Sequence, residues 1–133
     1  MSQKELINVT CAIIYFEEKI LVARRSILMK MPLKWEFPGG KLEDNENEVE
    51  CIKREIKEEH NIEIELVKRI SNSIYDYGTF QINLIPFIAN YVSGEIFLAE
   101  HAEYKLLSRT ELLCLDWTEA DKPIVEEFLK VEI

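Results

Sequence analysis

Glu55, Glu58 and Glu59 stand within five residues of one another, downstream of Gly39-Gly40 and Glu46. Ten acids lie between Glu43 and Glu65, against only Lys53, Arg54 and Lys57. Like charges three or four residues apart on a helix repel and cost stability. On a helical wheel at about 100° per residue, Val49, Ile52 and Ile56 form a narrow apolar stripe. Glu55 and Glu59 fall together along one margin of that stripe, Glu58 a little farther round, and Arg54 and Lys57 point mostly away. An acidic face made only for solubility sits opposite the stripe, not beside it. A hard divalent cation resolves the conflict. Mg²⁺ takes oxygen ligands, favours one or two carboxylates, and completes its shell with water and substrate phosphates. Gly39-Gly40 reads as a hinge that lets a carbonyl turn towards the same ion, or as a plain strand-to-loop turn.

The elements that must hold these groups follow from hydropathy. Ile7 to Phe16 is β-branched and apolar, a strand buried on both faces, and "ILVARR" after the turn at 17–19 is its hairpin partner. "SILMKMPLK" is a loop, and "WEF" is a short strand stopped by Pro38-Gly39-Gly40. Helix signals run from Asn45 to about His60. "ELVKRISNSIYDY", "FQINLIPFIANYV" and "EIFLAEHAEYKLLS" alternate as strands, with turns at Gly78 and Ser93-Gly94. Pro86 predicts an edge position or a bulge. "RTELLCL" is a short helical turn, and "EADKPIVEEFLKV" is a helix with Ile124, Val125, Phe128 and Leu129 on one face. Strands, helix, strands, helix make an α+β domain with a mixed sheet sandwiched by helices.

Composition narrows the classes. A chain of 133 residues, 47% apolar and 31% charged, is expected to be one globular domain, 1–133. The net charge of −9 opposes binding to nucleic-acid polymers or anionic membranes. Cys11, Cys51 and Cys114 are odd in number and far apart, without metal-ligand spacing. The sequence shows no signal-peptide pattern and no membrane-length apolar run, so a reduced, cytoplasmic protein is the expectation.

Read together, the residues resemble the Nudix hydrolase family, whose box is G-x5-E-x7-R-E-U-x-E-E-x-G-U with U a bulky aliphatic. Gly40, Glu46, Arg54-Glu55-Ile56, Glu58-Glu59 and Ile62 match eight of its nine specified positions; Asn61 replaces the last glycine. That position should be the left-handed residue ending the helix, and Asn is the best non-glycine for it. The segment "ARR" (Ala23 to Arg25) before "KWEFPGGK", and "AEHAEYKLL" before "LDWTEADKPIVEEFL", resemble the MutT-like branch. The look is closest to its CTP pyrophosphohydrolase and 8-oxo-dGTP diphosphatase members.

The resemblance implies an α/β/α sandwich and Mg²⁺-dependent hydrolysis, with Mn²⁺ as a substitute. It implies attack at the β-phosphorus of a (deoxy)nucleoside triphosphate, releasing monophosphate and pyrophosphate. The biological role would be nucleotide-pool sanitising, and through it DNA repair, or control of CTP-type pools. Glu55, Glu58 and Glu59, with the Gly40 carbonyl, become metal ligands. Glu46 binds a further ion or positions the loop, and Arg54 orients the box glutamates. Glu100 binds metal or, like Glu55, serves as general base, with Glu103 close enough to compete. Arg24 and Lys41 are the candidate phosphate-binding cations, Lys34 a weaker one, and Arg25 is set aside because strand alternation turns it to the other face. Asp121 reads the base or caps the last helix. As an ionised acceptor it would favour cytosine or guanine over uracil or thymine. Trp35, Phe37 and Phe80 stack on the base or belong to the core. Other Nudix substrates, such as a dinucleoside polyphosphate or ADP-ribose, and a catalytically silent nucleotide sensor are the alternatives. The partner is a small nucleotide, and the chain acts as a monomer or homodimer.

Overall fold

The computed structural model of the chain describes residues 4–131. Residues 1–3 and 132–133 of the expected 1–133 domain lie outside the described residues. Side-chain alternation along the strands decides the architecture. In β1 (Glu5–Phe16), Cys11 and Ile13 face one side and Ala12 and Ile14 the other, and all four are buried. In β2 (Lys19–Arg24), Ile20 and Val22 oppose Leu21 in the same way. A sheet that is apolar on both faces needs cover on both.

That cover comes from two helical layers. α1 (Glu48–His60) packs Ile52 and Ile56 on Ala12, Ile14, Leu21 and Ile85. A 3₁₀ helix (Arg109–Cys114) and α2 (Lys122–Phe128) bring Leu112, Ile124, Val125 and Phe128 to the opposite face. Between them β1 runs parallel to β7 (Phe80–Ser93) and antiparallel to β2 and to β4 (Gly39–Lys41). β5 (Glu63–Arg69) and β6 (Ser73–Asp76) pair in succession along the far side of β7. β3 (Trp35–Glu36) and β8 (Glu103–Leu107) pair with β2. The α+β class and the mixed sheet between helices are as expected.

Local chemistry moves several boundaries. α1 begins at Glu48, not Asn45, because Asn47 and Glu50 form a capping box, with Asn47 Oδ1 accepting from Glu50 N–H at 2.8 Å. Val49 is exposed, so the buried stripe is Cys51, Ile52, Ile56 and His60. Gly39-Gly40 is not a hinge but strand β4, hydrogen-bonded to β1. The glycines are required by close approach: a Cβ on Gly39 would overlap the Thr10 carbonyl, and one on Gly40 the Glu55 carboxyl. "ELVKRISNSIYDY" divides into two strands, and Pro86 sits in a central strand where β5 hands over to β6. Ile70 N–H donates to the Pro86 carbonyl at 3.2 Å, so the side of β7 lacking an N–H faces that gap. "EIFLAEHAEYKLLS" is extended only over Glu103–Leu107; residues 95–102 form an irregular loop. α2 is shorter than its apolar pattern, ending at Phe128. The turns at Gly78 (φ 99°) and Gly94 (φ 102°) fall where expected.

Candidate active site

The C-terminal half of α1, β4 and the 95–102 loop meet at one end of a cavity of about 400 Å³. Glu55, Glu59 and Glu100 line that end, with Gly39, Gly40 and Lys41 beside them. Burial, then the neighbouring charges Glu100 and Glu55, pushes the Glu59 carboxyl upward. The Glu55 carboxyl is raised as well, by burial first, although hydrogen bonding from Arg54 opposes the rise. Arg54 folds back over this acidic cluster instead of pointing away. Its Nη1 donates to Glu55 at 2.8 Å and Glu58 at 3.0 Å, while Nε and Nη2 grip Glu46 at 2.6 and 3.0 Å. Those bonds from Arg54 hold the Glu46 carboxyl down at about 2.

The other end of the cavity is assembled from distant segments. Arg25 Nη1 donates to Glu36 Oε1 at 2.8 Å, and Glu36 Oε2 lies 2.7 Å from His101 Nε2. Deeper in, Asp121 is 3% exposed, its Oδ1 accepting from Phe37 N–H at 3.3 Å and its Oδ2 2.5 Å from the Thr118 hydroxyl. Burial, then the Glu36 charge, pushes the Asp121 carboxyl up to about 8. Tyr77 and Phe80 are stacked at 5.4 Å on the wall, and the Lys30 ammonium sits 4.4 Å over the Phe80 ring. Cys11 is buried here and its thiol is pushed well up, by burial above all.

The comparisons with known proteins bear on this geometry. A model of the NUDIX domain matches residues 5–128. The chain belongs to the NUDIX domain family. It is 30% identical to a CTP pyrophosphohydrolase of Escherichia coli (strain K12) over 94% of its own length and 93% of that protein. It is 27% identical to an 8-oxo-dGTP diphosphatase of Buchnera aphidicola subsp. Schizaphis graminum, covering 93% of this chain and 94% of that one. Among solved structures, a MutT protein of the Nudix hydrolase family from methicillin-resistant Staphylococcus aureus 252 shares 37% identity with a TM-score of 0.79, covering 96% of this chain and 98% of that one. A MutT protein from Methanosarcina mazei Go1 shares 25% identity with a TM-score of 0.87, covering 98% and 97%. The chain is thus an enzyme of the Nudix hydrolase family, whose members generally use divalent metal ions.

Set against this Nudix frame, the predicted site residues separate. Glu55, Glu59, Glu100, Gly40, Lys41, Phe37 and Asp121 share the cavity wall. Glu58 and Glu46 do not line it and are held by Arg54 from behind. Arg24 is also elsewhere, paired to Glu103 at 3.0 Å, and Arg25 stands on the wall in its place. Alternation along β2 does send the two arginines to opposite faces, and the face that meets the cavity carries Arg25. Trp35 is core, whereas Phe80 lines the cavity. Lys34 pairs with Asp116 outside it. Asp121 stands at the N-cap position without a capping hydrogen bond, so capping does not account for it. Burial and the Glu36 charge raise its carboxyl to about 8, which weakens the case against uracil and thymine because that case rests on an ionised acceptor. His101, Tyr77, Thr118 and Glu36 were missed; only the "EH" pair at Glu100-His101 marked one of them.

The acidic end suits a divalent cation. Raised carboxyls at Glu55 and Glu59 mark a place where added positive charge is favourable, and the bare Cα of Gly40 leaves the space that the Glu55 carboxyl fills. The Gly40 carbonyl accepts from the Thr10 hydroxyl at 3.3 Å. Among the described residues no three His, Cys, Asp or Glu side chains already converge on one point. Glu55 and Glu58 are turned to Arg54 instead.

Proposed function

We propose that this Nudix hydrolase splits a (deoxy)nucleoside triphosphate into monophosphate and pyrophosphate with Mg²⁺, acting in nucleotide-pool sanitising. The observation that carries the reading is the single cavity joining two chemistries. Glu55, Glu59 and Glu100 stand at one end, and Phe80, Tyr77 and Asp121 at the other. Such a cavity takes a molecule with a polyphosphate at one end and a flat, hydrogen-bonding base at the other. The names of the relatives, a CTP pyrophosphohydrolase and 8-oxo-dGTP diphosphatases, support that substrate class.

Glu55 and Glu59, with Glu100 opposite, would hold the cation, which when bound supplies charge neutralisation of the phosphates and acidifies the attacking water. Arg54 keeps Glu55 and Glu58 in place through Nη1 while its other nitrogens stay on Glu46, so Glu46 acts as the anchor of Arg54. Lys41, Lys30 and Arg25 line the same cavity and draw in a polyanion that the overall acidic chain would repel. Glu55 or Glu100 takes the proton of the attacking water; burial, which raises the Glu55 carboxyl, makes it a better base. At the far end Asp121 lies on the cavity wall facing the base, its carboxyl pushed up by burial and the Glu36 charge.

The test is a nucleotide panel with Mg²⁺ or Mn²⁺: 8-oxo-dGTP, CTP, 5-methyl-dCTP, UTP, ADP-ribose and a dinucleoside polyphosphate. Monophosphate and pyrophosphate from one of the triphosphates are the expected products. In ¹⁸O-labelled water the label should enter pyrophosphate, as attack at the β-phosphorus requires. Label in the monophosphate, or turnover confined to ADP-ribose or the dinucleotide, would replace this reading. Nucleotide binding with no turnover would make the chain a sensor. In the same spirit, we take residues 1–133 as one catalytic unit and the cytoplasm as its place; among the described residues no helix is long and apolar enough to cross a membrane.

A further inference from the structure

Glu100 reaches the acidic end of the cavity from a loop with no regular structure, and what fixes it there is not obvious. The loop is sewn to the end of α1 by its flanks. Phe97 N–H donates to the His60 carbonyl at 3.0 Å, and Ala99 N–H to the Glu59 carbonyl at 3.2 Å. Asn61 Nδ2 donates to the Glu95 carbonyl at 3.3 Å, and Ala102 N–H to the Arg24 carbonyl at 2.8 Å. Among the described residues, no backbone hydrogen bond holds Glu100 or His101 themselves. The only polar bond at that point is the side chain of His101, 5% exposed, with Nε2 2.7 Å from Glu36 Oε2. Its ring also packs on His60, centroids 5.4 Å apart and planes 26° apart.

The acceptor explains why this contact matters. Glu36 uses both oxygens, one for His101 and one for Arg25, and all three side chains line the cavity. A carboxylate only accepts, so Nε2 is the donor nitrogen of His101. The nitrogen left over, Nδ1, is buried with no partner, so the bond to Glu36 is the ring's one polar anchor among the described residues. His101 is therefore held in one orientation at both ends, by packing on α1 and by a charge-assisted bond to β3.

We propose that His101 is a positioning residue: through its bond to Glu36 it fixes Glu100 against Glu59 and keeps the Glu36–Arg25 pair on the cavity wall, so that one side chain sets the spacing between the acidic and the cationic walls. The inference rests on the hydrolase reading above. It adds to that reading a joint between two halves of the site that neither the box nor the strand pattern contains.

The experiment compares His101→Phe, which keeps the ring on His60 and removes the donor, with His101→Gln, which keeps a donor at similar reach. Mn²⁺ affinity is measured by water-proton relaxation without nucleotide, and kcat and KM with the best triphosphate of the panel. Groups that orient metal ligands from behind cost about 10- to 100-fold in affinity or activity when removed. His101→Phe should weaken Mn²⁺ binding by about tenfold, lower kcat by at least that much and raise KM, with a cooperative melting transition retained. His101→Gln should recover most of both losses. Adding His101→Phe to Glu36→Gln should cost little beyond Glu36→Gln alone, since that variant already weakens the bond His101 makes along with the one to Arg25. Wild-type Mn²⁺ affinity and kcat in His101→Phe would overturn the inference, as would a Gln variant as impaired as Phe or strictly additive losses in the pair. If the wild-type protein itself takes up no Mn²⁺ and cleaves no triphosphate, the hydrolase reading fails instead, which the same measurements show separately.

Discussion

The two ends of the cavity are built by opposite methods. The acidic end draws Arg54, Glu55, Glu58 and Glu59 from one helix and Glu46 from the loop just before it, with β4 and Glu100 alongside. Arg54 hydrogen-bonds to five groups: Glu46, Glu55, Glu58, Cys51 Sγ and the Lys41 carbonyl. The far end joins Arg25, Glu36, His101 and Asp121 from four separate segments. Its polar groups are few, and the two carboxyls each bridge two partners: Glu36 joins Arg25 to His101, and Asp121 joins Phe37 N–H to Thr118. The difference predicts that substitutions at the first end strike the metal and the chemistry, while those at the second, apart from His101 with its link to Glu100, change substrate choice and pH response.

The largest effect is expected at the acidic end. Glu59→Gln removes a carboxylate from the crowded wall and should cut turnover by two to three orders of magnitude, the usual worth of a preorganised electrostatic group. Because that carboxyl is raised by its neighbours, its neutral replacement relieves repulsion, and melting should stay at or slightly above the wild-type temperature without metal. Near-normal kcat would remove Glu59 from the cation site.

The adjacent glycines give the next contrast. A Cβ at Gly40 meets only the end of the Glu55 side chain, which can move, so Gly40→Ala should fold but displace that carboxyl and lose Mn²⁺ affinity along with activity. A Cβ at Gly39 meets the Thr10 backbone in the neighbouring strand, so Gly39→Ala should lower thermal stability by several degrees or fail to fold. Equal melting temperatures for the two variants would show that β4 yields more easily than this packing allows.

Arg54 supplies a third test. It is the one cation hydrogen-bonded to Glu46, Glu55 and Glu58 at once. Arg54→Gln should therefore make the fold lean on the metal: the rise in melting temperature on adding Mg²⁺ should exceed the wild-type rise by a few degrees, since a ligand stabilises in proportion to what it binds in the native state alone. An unchanged increment would mean that Arg54 and the cation do not act on the same carboxylates.

How much of this was legible follows the same division. The sheet faces, the Ile52 and Ile56 side of α1 (though not Val49, which is exposed) and the left-handed stop at Asn61 (φ 60°) depend on neighbours within a few residues, and each is where the sequence puts it. The box glutamates are a local pattern too. Arg24 and Arg25, by contrast, differ only in which face of β2 ends at the cavity, and that is decided by β3 and β8 pairing beside it. The raised pKa of Asp121 was not legible either, because it comes from burial and from the Glu36 charge, which the fold brings in from far off in the chain. Arg54 was misjudged because a helical wheel fixes a Cβ direction, while a long guanidinium side chain can reach back across its own helix.

Asp121 carries the smallest effect and the sharpest sign. Glu36, Arg25, Cys11 and Tyr77 face it, and burial is the leading cause of its raised pKa of about 8. An unfolded Asp titrates near its ordinary value of 3.8, so between about pH 4 and pH 8 the folded state holds a proton that the unfolded state has lost. Stability from this proton is complete below the lower value and is lost as pH rises through the upper one, with a slope of roughly 1 kcal/mol per pH unit at its steepest. Asp121→Asn keeps a carbonyl acceptor for Phe37 N–H, places an amide donor where Oδ2 accepts from the Thr118 hydroxyl, which can accept in turn, and cannot ionise. Urea unfolding of the variant between pH 5 and pH 9 should show a flatter stability profile than the wild type. The two profiles should converge towards the acid side and draw apart steadily up to about pH 8, above which the gap stays constant, with the variant the more stable. Parallel profiles would mean that Asp121 is ionised in the folded protein, and would restore the preference for bases that offer only donors.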